Sequence, residues 1–205
     1  LHLSLRRQRQ MCIRDSYNPL LIKKGISAAA VSLDHTSEQF NKLVDYASTL
    51  SHGLYPNGTF LFHLEVFYDG HEIIFLEIAS RIGGARIRQN LQYKLNHNPL
   101  ELLLKAICDD SLPTIPKTFP VTGWLLTAKK KGIIKQLPEL TETIKKQYSI
   151  FDYTTYTQVG KQLNDAFHSA DAIVGFSCYG STFLETKKNL QGAEAWALEN
   201  TRYEK

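Results

Sequence analysis

The stretch "GTFLFHLEVFYDGHEIIFLEIASRIGGARI", residues 58–87, decides the fold. Two apolar runs flank Asp69-Gly70, a pair that favours a tight reversal between antiparallel strands. Phe60, Phe62, Leu64, Val66 and Tyr68 hold the even positions of the first run, and Ile74, Leu76 and Ile78 those of the second. Side chains change face at every residue of a strand, so the two even sets share one buried face only across a loop with an odd number of residues. The spacing therefore predicts a three-residue loop, Asp69 to His71, with Gly70 or its neighbour at positive φ. Glu65 and Glu77 then leave the core on the same face of neighbouring strands. A two-residue loop would bury Glu77 among leucines and isoleucines, and an unpaired buried carboxylate costs several kcal/mol.

Two carboxylates held about 4 Å apart repel by roughly 4 kcal/mol at an effective dielectric near 20, so a cation is expected between them. One solution is Mg²⁺, which takes one or two protein carboxylates and fills its other positions with water and substrate phosphate. The other is an ordinary surface pair neutralised by lysine or arginine. Arg81 follows Glu77 by four residues and offers a planar fork of donors for phosphate or carboxylate. Gly83 and Gly84 follow it, where a backbone can approach an anion closely. His63 is read as packing.

The constellation "HLE", twelve residues on "EIASRIGG", resembles the metal- and phosphate-binding end of the ATP-grasp superfamily. It is most similar to the dipeptide-forming carboxylate–amine ligases related to carnosine synthase and bacterial L-amino acid ligases. The resemblance covers roughly residues 20–205 and is concentrated in 58–87. It implies an α+β fold: the C-terminal half of an ATP-grasp domain, an antiparallel sheet with flanking helices, over residues 17–112, and a small β-rich closing lobe over 113–205. It implies that Glu65 and Glu77 hold Mg²⁺, or Mn²⁺, against the phosphates of ATP. Arg81 would contact the transferred phosphoryl group or the acyl-phosphate, and Gly83 and Gly84 would shape the adjoining substrate loop. The reaction so implied joins a carboxylate to an amine, with small-molecule substrates such as amino acids. Many superfamily members carry Asn two residues after the second metal glutamate; here that position is Ala79, which fits the dipeptide-ligase branch better than the carboxylase or purine-pathway branches. The competing readings are a non-catalytic homologue that binds nucleotide or regulates, and a carboxylase or carbamoyl-phosphate type of enzyme.

Outside this stretch, "TSEQFNKLVDYASTL" predicts an amphipathic helix capped by Thr36 or Ser37, with Gly53 just beyond its end. "NPLELLLKAI" predicts another, with Asn98 as N-cap, Pro99 at the first position, Glu101 closing the capping box, and Leu100, Leu103, Leu104 and Ile107 on one face. "DDSLPTIPKTFP" reads as a linker, with a lobe boundary near Pro113. "VTGWLLTA" and "GIIKQL" read as strands joined by "KKKG", a solvated turn; "SIFDYTTYT" and "AIVGFSCYG" read as further strands. "STFLETKKNLQGAEAWALEN" reads as a closing helix with Phe183, Leu184 and Leu190 inward.

The N-terminal "RRQRQMCIRDS", Arg6 to Ser16, has no apolar period. One in-frame choice of codons for it reproduces the adapter plus transposon-end oligonucleotide used to prepare DNA sequencing libraries, so residues 1–16 are expected to be an artefact and are excluded from fold reasoning. The chain is accordingly expected to lack an upstream lobe with the nucleotide-gripping lysines, and to be inactive by itself. The 24 Lys+Arg and 20 Asp+Glu give +4; without Arg6, Arg7, Arg9, Arg14 and Asp15 they become 20 and 19. Near-neutral charge removes the argument for nucleic acid or a membrane surface as partner. Cys108 and Cys178 stand far apart in no metal-ligand spacing, which suits a reducing cytoplasm and two buried thiols.

Overall fold

The computed structural model describes residues 26–54, 60–108, 113, 114, 116, 118–166 and 171–204. Residues 1–16, expected to be an artefact, and much of the expected linker lie outside these. The chain divides into two compact units, residues 33–119 and residues 120–204 together with 26–32.

The first unit is built on a hairpin of β2 (His63–Tyr68) and β3 (Ile73–Ala79). Tyr68 pairs with Ile73, so four residues, Asp69 to Glu72, turn the chain, rather than the expected three. The Asp69 carboxylate makes this loop. Its Oδ1 accepts the backbone N–H groups of Glu72 at 2.9 Å and His71 at 2.8 Å, bonds that lower its pKa below the ordinary carboxylate value. Gly70 takes the positive φ, 103°, as the sequence predicts. An even loop alone would set Glu77 opposite Leu64, on the apolar side of the hairpin. The register instead shifts between Val66, which pairs with Phe75, and Glu65, which pairs with Glu77. Leu76 is the extra residue of a β-bulge, and it restores by one position the parity that the loop loses.

Three helices accompany the hairpin. In α1 (Glu38–Leu54) Ser37 is the cap, its Oγ accepting from Phe40 N–H at 3.1 Å, and Gly53 lies inside the last turn instead of beyond it. Helix α2 (Ile87–Leu95) was not legible as a helix in the sequence reading; Asn96, at φ 55°, closes it in the left-handed conformation. Helix α3 (Pro99–Cys108) begins as the sequence predicts: Asn98 Oδ1 accepts from Leu100 N–H at 3.1 Å, and Asn98 Nδ2 donates to Glu101 Oε1 at 3.4 Å. Its apolar face is not buried, since Leu100, Leu104 and Ile107 are 43%, 61% and 57% exposed. Cys108 at its end is exposed too, against the expectation of a buried thiol.

The second unit holds the apolar core. An antiparallel sheet runs in the order β1 (Ala28–Val31), β4 (Val121–Ala128), β8 (Ala172–Gly180), β6 (Ile150–Thr155). Strands β4 and β8 are nearly continuous apolar or small runs because both are interior to the sheet, and Leu125, Val174, Phe176 and Cys178 are fully buried. Burial pushes the Cys178 thiol far above its usual range, so it stays protonated. The β4–β8 register slips at Thr127, whose buried Oγ1 donates to Val174 O and accepts from Val174 N–H, both at 3.1 Å, in place of the missing ladder bonds. Strand β5 (Gly132–Gln136) does not form a hairpin with β4. It leaves that sheet and pairs with β7 (Gln162–Leu163) and β9 (Arg202–Glu204), so the "KKKG" turn carries the chain from one sheet to another. A short helix, α4 (Glu142–Gln147), precedes β6.

The closing helix α5 (Phe183–Glu199) packs on β4 and β8. Thr182 caps it through an Oγ1 bond from Glu185 N–H at 3.2 Å, while Glu185 Oε2 accepts from Ser181 N–H at 2.7 Å. Thr186, Leu190, Ala193 and Ala197 form its buried stripe; Leu184, expected inward, is 74% exposed. Among the described residues no helix is long and apolar enough to cross a membrane.

Gly192 of α5 meets Tyr148: a Cβ added there would lie 2.4 Å from Tyr148 Cε1 and 2.8 Å from Cδ1. Gly192→Ala gains up to about 1 kcal/mol of helix propensity but displaces a ring. The expected result is a net loss of about 1 kcal/mol in denaturant unfolding, and a net gain would show that the ring moves freely.

Candidate functional site

The hairpin register fixes the acids. Glu65 and Glu77 are direct partners across β2 and β3, and His63 and Ala79 are the next pair on the same face. Opposed residues of an antiparallel pair have Cβ atoms about 4.5–5.5 Å apart, close enough for two carboxylates to share one cation. Glu65 is 44% exposed and Glu77 is exposed, so water softens their repulsion and reaches both. Among the described residues no lysine or arginine forms an ion pair with either. The partner of Glu65 is His63, whose Nε2 lies 3.2 Å from Glu65 Oε1.

Beyond β3 the chain turns sharply. Arg81 N–H donates to Ala79 O at 2.8 Å, and the exposed Arg81 guanidinium donates through Nη1 to Ile82 O at 3.1 Å. Arg81 thus lies on its own loop and is not joined to the glutamates. Arg81 and Gly83 border a cavity of about 770 Å³, whose lining includes the polar Ser80 and Arg88 and the apolar Leu100 and Ile107 of α3. Neither glutamate lines that cavity, and neither does Gly84.

The two glycines differ. A Cβ on Gly83 would lie 2.5 Å from Ile87 Cδ1 and 2.7 Å from His63 Nδ1, whereas one on Gly84 would meet nothing within 4 Å. Neither is in the left-handed region; that conformation falls to Ala85, at φ 53°. Next to it Arg86, at the N-cap of α2, is completely buried, and its carbonyl accepts from Asn90 N–H at 3.1 Å and Asn90 Nδ2 at 2.9 Å. The sequence reading missed Arg86 and the contact of His63. The second arginine of "RIGGAR" was a visible signal for the first, while nothing local shows that the His63 ring reaches Gly83.

No family model matches the chain, and no curated protein is similar to it in sequence. Solved structures are similar in shape. Phosphoribosylglycinamide synthetase from Anaerococcus prevotii matches over 86% of this chain and 44% of its own, with 10% identity and a TM-score of 0.66. L-amino acid ligase from Bacillus licheniformis matches over 86% and 43%, with 12% identity and a TM-score of 0.65. The fold is that of an ATP-grasp domain, in its C-terminal half. The biotin carboxylase domain of the Hydrogenobacter thermophilus 2-oxoglutarate carboxylase, solved with MgADP, ADP and bicarbonate, matches over 86% and 39%, with 11% identity and a TM-score of 0.57. The chain spans less than half the length of these ATP-grasp structures.

A non-glycine residue in the left-handed region stores on the order of 1 kcal/mol. Ala85→Gly is expected to raise unfolding stability by up to about 1 kcal/mol; a destabilised variant, measured in urea, would show that Ala85 is held there without strain.

Proposed function

We propose that the chain is part of an ATP-dependent carboxylate–amine ligase of the amino-acid-joining kind, in which Glu65 and Glu77 hold the magnesium of Mg-ATP. The observation that carries this reading is the direct pairing of Glu65 with Glu77, four residues before Arg81, with no lysine or arginine paired to either among the described residues and only His63 beside Glu65. The donor set fits the ion: two water-accessible carboxylates suit a hard cation that keeps other positions for water and phosphate, although the described residues contain no cluster of three acidic, histidine or cysteine ligands. The likeness in shape to L-amino acid ligase agrees with the reading, and the equal likeness to phosphoribosylglycinamide synthetase leaves the branch to Ala79.

In this reading the metal, when bound, neutralises charge on the phosphate oxygens. Glu65 and Glu77 orient it from adjacent strands, which fixes its position to that of the ladder. Arg81, whose exposed guanidinium donates to Ile82 O, would contact the transferred phosphoryl group or the acyl-phosphate through its planar fork of donors. Gly83 and Gly84 would shape the adjoining substrate loop, Gly83 by yielding its side-chain space to the His63 ring and Ile87, Gly84 by leaving its own side open. Phosphoryl transfer to a carboxylate followed by attack of an amine asks the protein for positioning and charge neutralisation, with no nucleophilic side chain of its own.

Glu77→Gln keeps the shape and removes one charge. Its affinity for Mn²⁺, followed by water-proton relaxation, is expected to fall by about a hundredfold, the upper end of what losing a partner that acts only through a ligand costs. An affinity equal to that of the unsubstituted chain rejects the metal reading.

A further inference from the structure

His63 has a partner on each side of its ring. Its Nε2 is 3.2 Å from Glu65 Oε1, and its Nδ1 and Cε1 sit where a Cβ on Gly83 would be, at 2.7 and 2.8 Å. An ionised carboxylate only accepts, so Nε2 carries the proton and donates it. The ring is mostly buried, with 19% of the side chain exposed, whereas Glu65 is 44% exposed. The pair therefore combines a fixed donor with a carboxylate that would otherwise be free to move in water. Gly83 makes room for the ring, and it has no conformational need to be glycine because its φ lies outside the left-handed region; the cross-strand partner of His63 is the small Ala79.

We propose that His63 is a positioning residue for Glu65, and that Gly83 is glycine because the imidazole occupies the space of its side chain. The contact ties the carboxylate on β2 to the loop that carries Arg81, so that the two move together. His63 is not itself a ligand in this assignment, because its Nε2 proton is committed to Glu65 and Mg²⁺ prefers oxygen to imidazole. The inference rests on the reading of Glu65 and Glu77 as a metal pair for its consequence, but not for its geometry.

Two measurements on the 205-residue chain separate these. The first needs no metal: long-range nitrogen–proton NMR of the labelled His63 ring is expected to show the Nε2–H tautomer, with signals that shift when Glu65→Ala is introduced. A predominant Nδ1–H tautomer, or signals indifferent to Glu65→Ala, overturns the proposal. The second uses MnCl₂ as the probe. His63→Phe, which keeps the ring and loses the donor, is expected to bind Mn²⁺ about tenfold more weakly, and Gly83→Ala to do the same by displacing the ring; His63→Gln, which keeps a donor, is expected to recover most of the affinity. Full Mn²⁺ affinity in a folded His63→Phe overturns the positioning role. If the unsubstituted chain binds no Mn²⁺, the metal reading fails and the tautomer result alone decides the His63–Glu65 contact.

Discussion

The bulge at Leu76 governs the first unit. The four-residue loop between β2 and β3, held by the Asp69 carboxylate, would pair Glu77 with Leu64 if the ladder ran on without interruption. Glu77 would then stand on the side of Leu64, Val66 and Tyr68, the last of them only 6% exposed. A bulge leaves one residue out of the ladder and increases the local twist. That cost is smaller than the several kcal/mol for an unpaired carboxylate among apolar side chains. The same shift that keeps Glu77 in water sets it against Glu65, so folding stability and the acidic pair have one cause.

The loop after β3 inherits its position from that shift. Arg81, Gly83 and Ala85 follow Glu77 within eight residues, and each departs from ordinary strand or helix behaviour. Arg81 folds onto Ile82 O, Gly83 abuts the His63 ring, and Ala85 takes φ 53°. Backbone strain and close approach are thus concentrated in one short segment. Buried Arg86 and its carbonyl bonds to Asn90 anchor the far end on α2.

Legibility in the sequence followed the range of the forces concerned. The placement of Glu65 and Glu77 on one face was readable because it rests on alternation and on the penalty for burying charge. The route to it was not: parity allows an odd loop or an even loop with a bulge, and the choice depends on Asp69 capping two backbone N–H groups. The starts of α3 and α5 were readable from Asn98 and from "STFLE", since caps are local. Leu184 was misread because helical spacing gives a face but not whether anything covers it, and Cys108 because the apolar character of a thiol does not say where the chain places it. The separation of β5 from β4 was invisible for a similar reason, as strand partners drawn from β7 and β9 lie far along the chain. His63 and Gly83, twenty residues apart, meet only through the hairpin.

The central claim is that Glu65 and Glu77 face one divalent ion together. Carbon-13 spectra of side-chain carboxylates, recorded while substoichiometric Mn²⁺ is added, test it directly through paramagnetic broadening. The expected result is that the signals of Glu65 and Glu77 broaden in parallel and before those of every other carboxylate. Broadening of only one of the two, or earlier loss of exposed carboxylates such as Glu38 or Asp69, would contradict it.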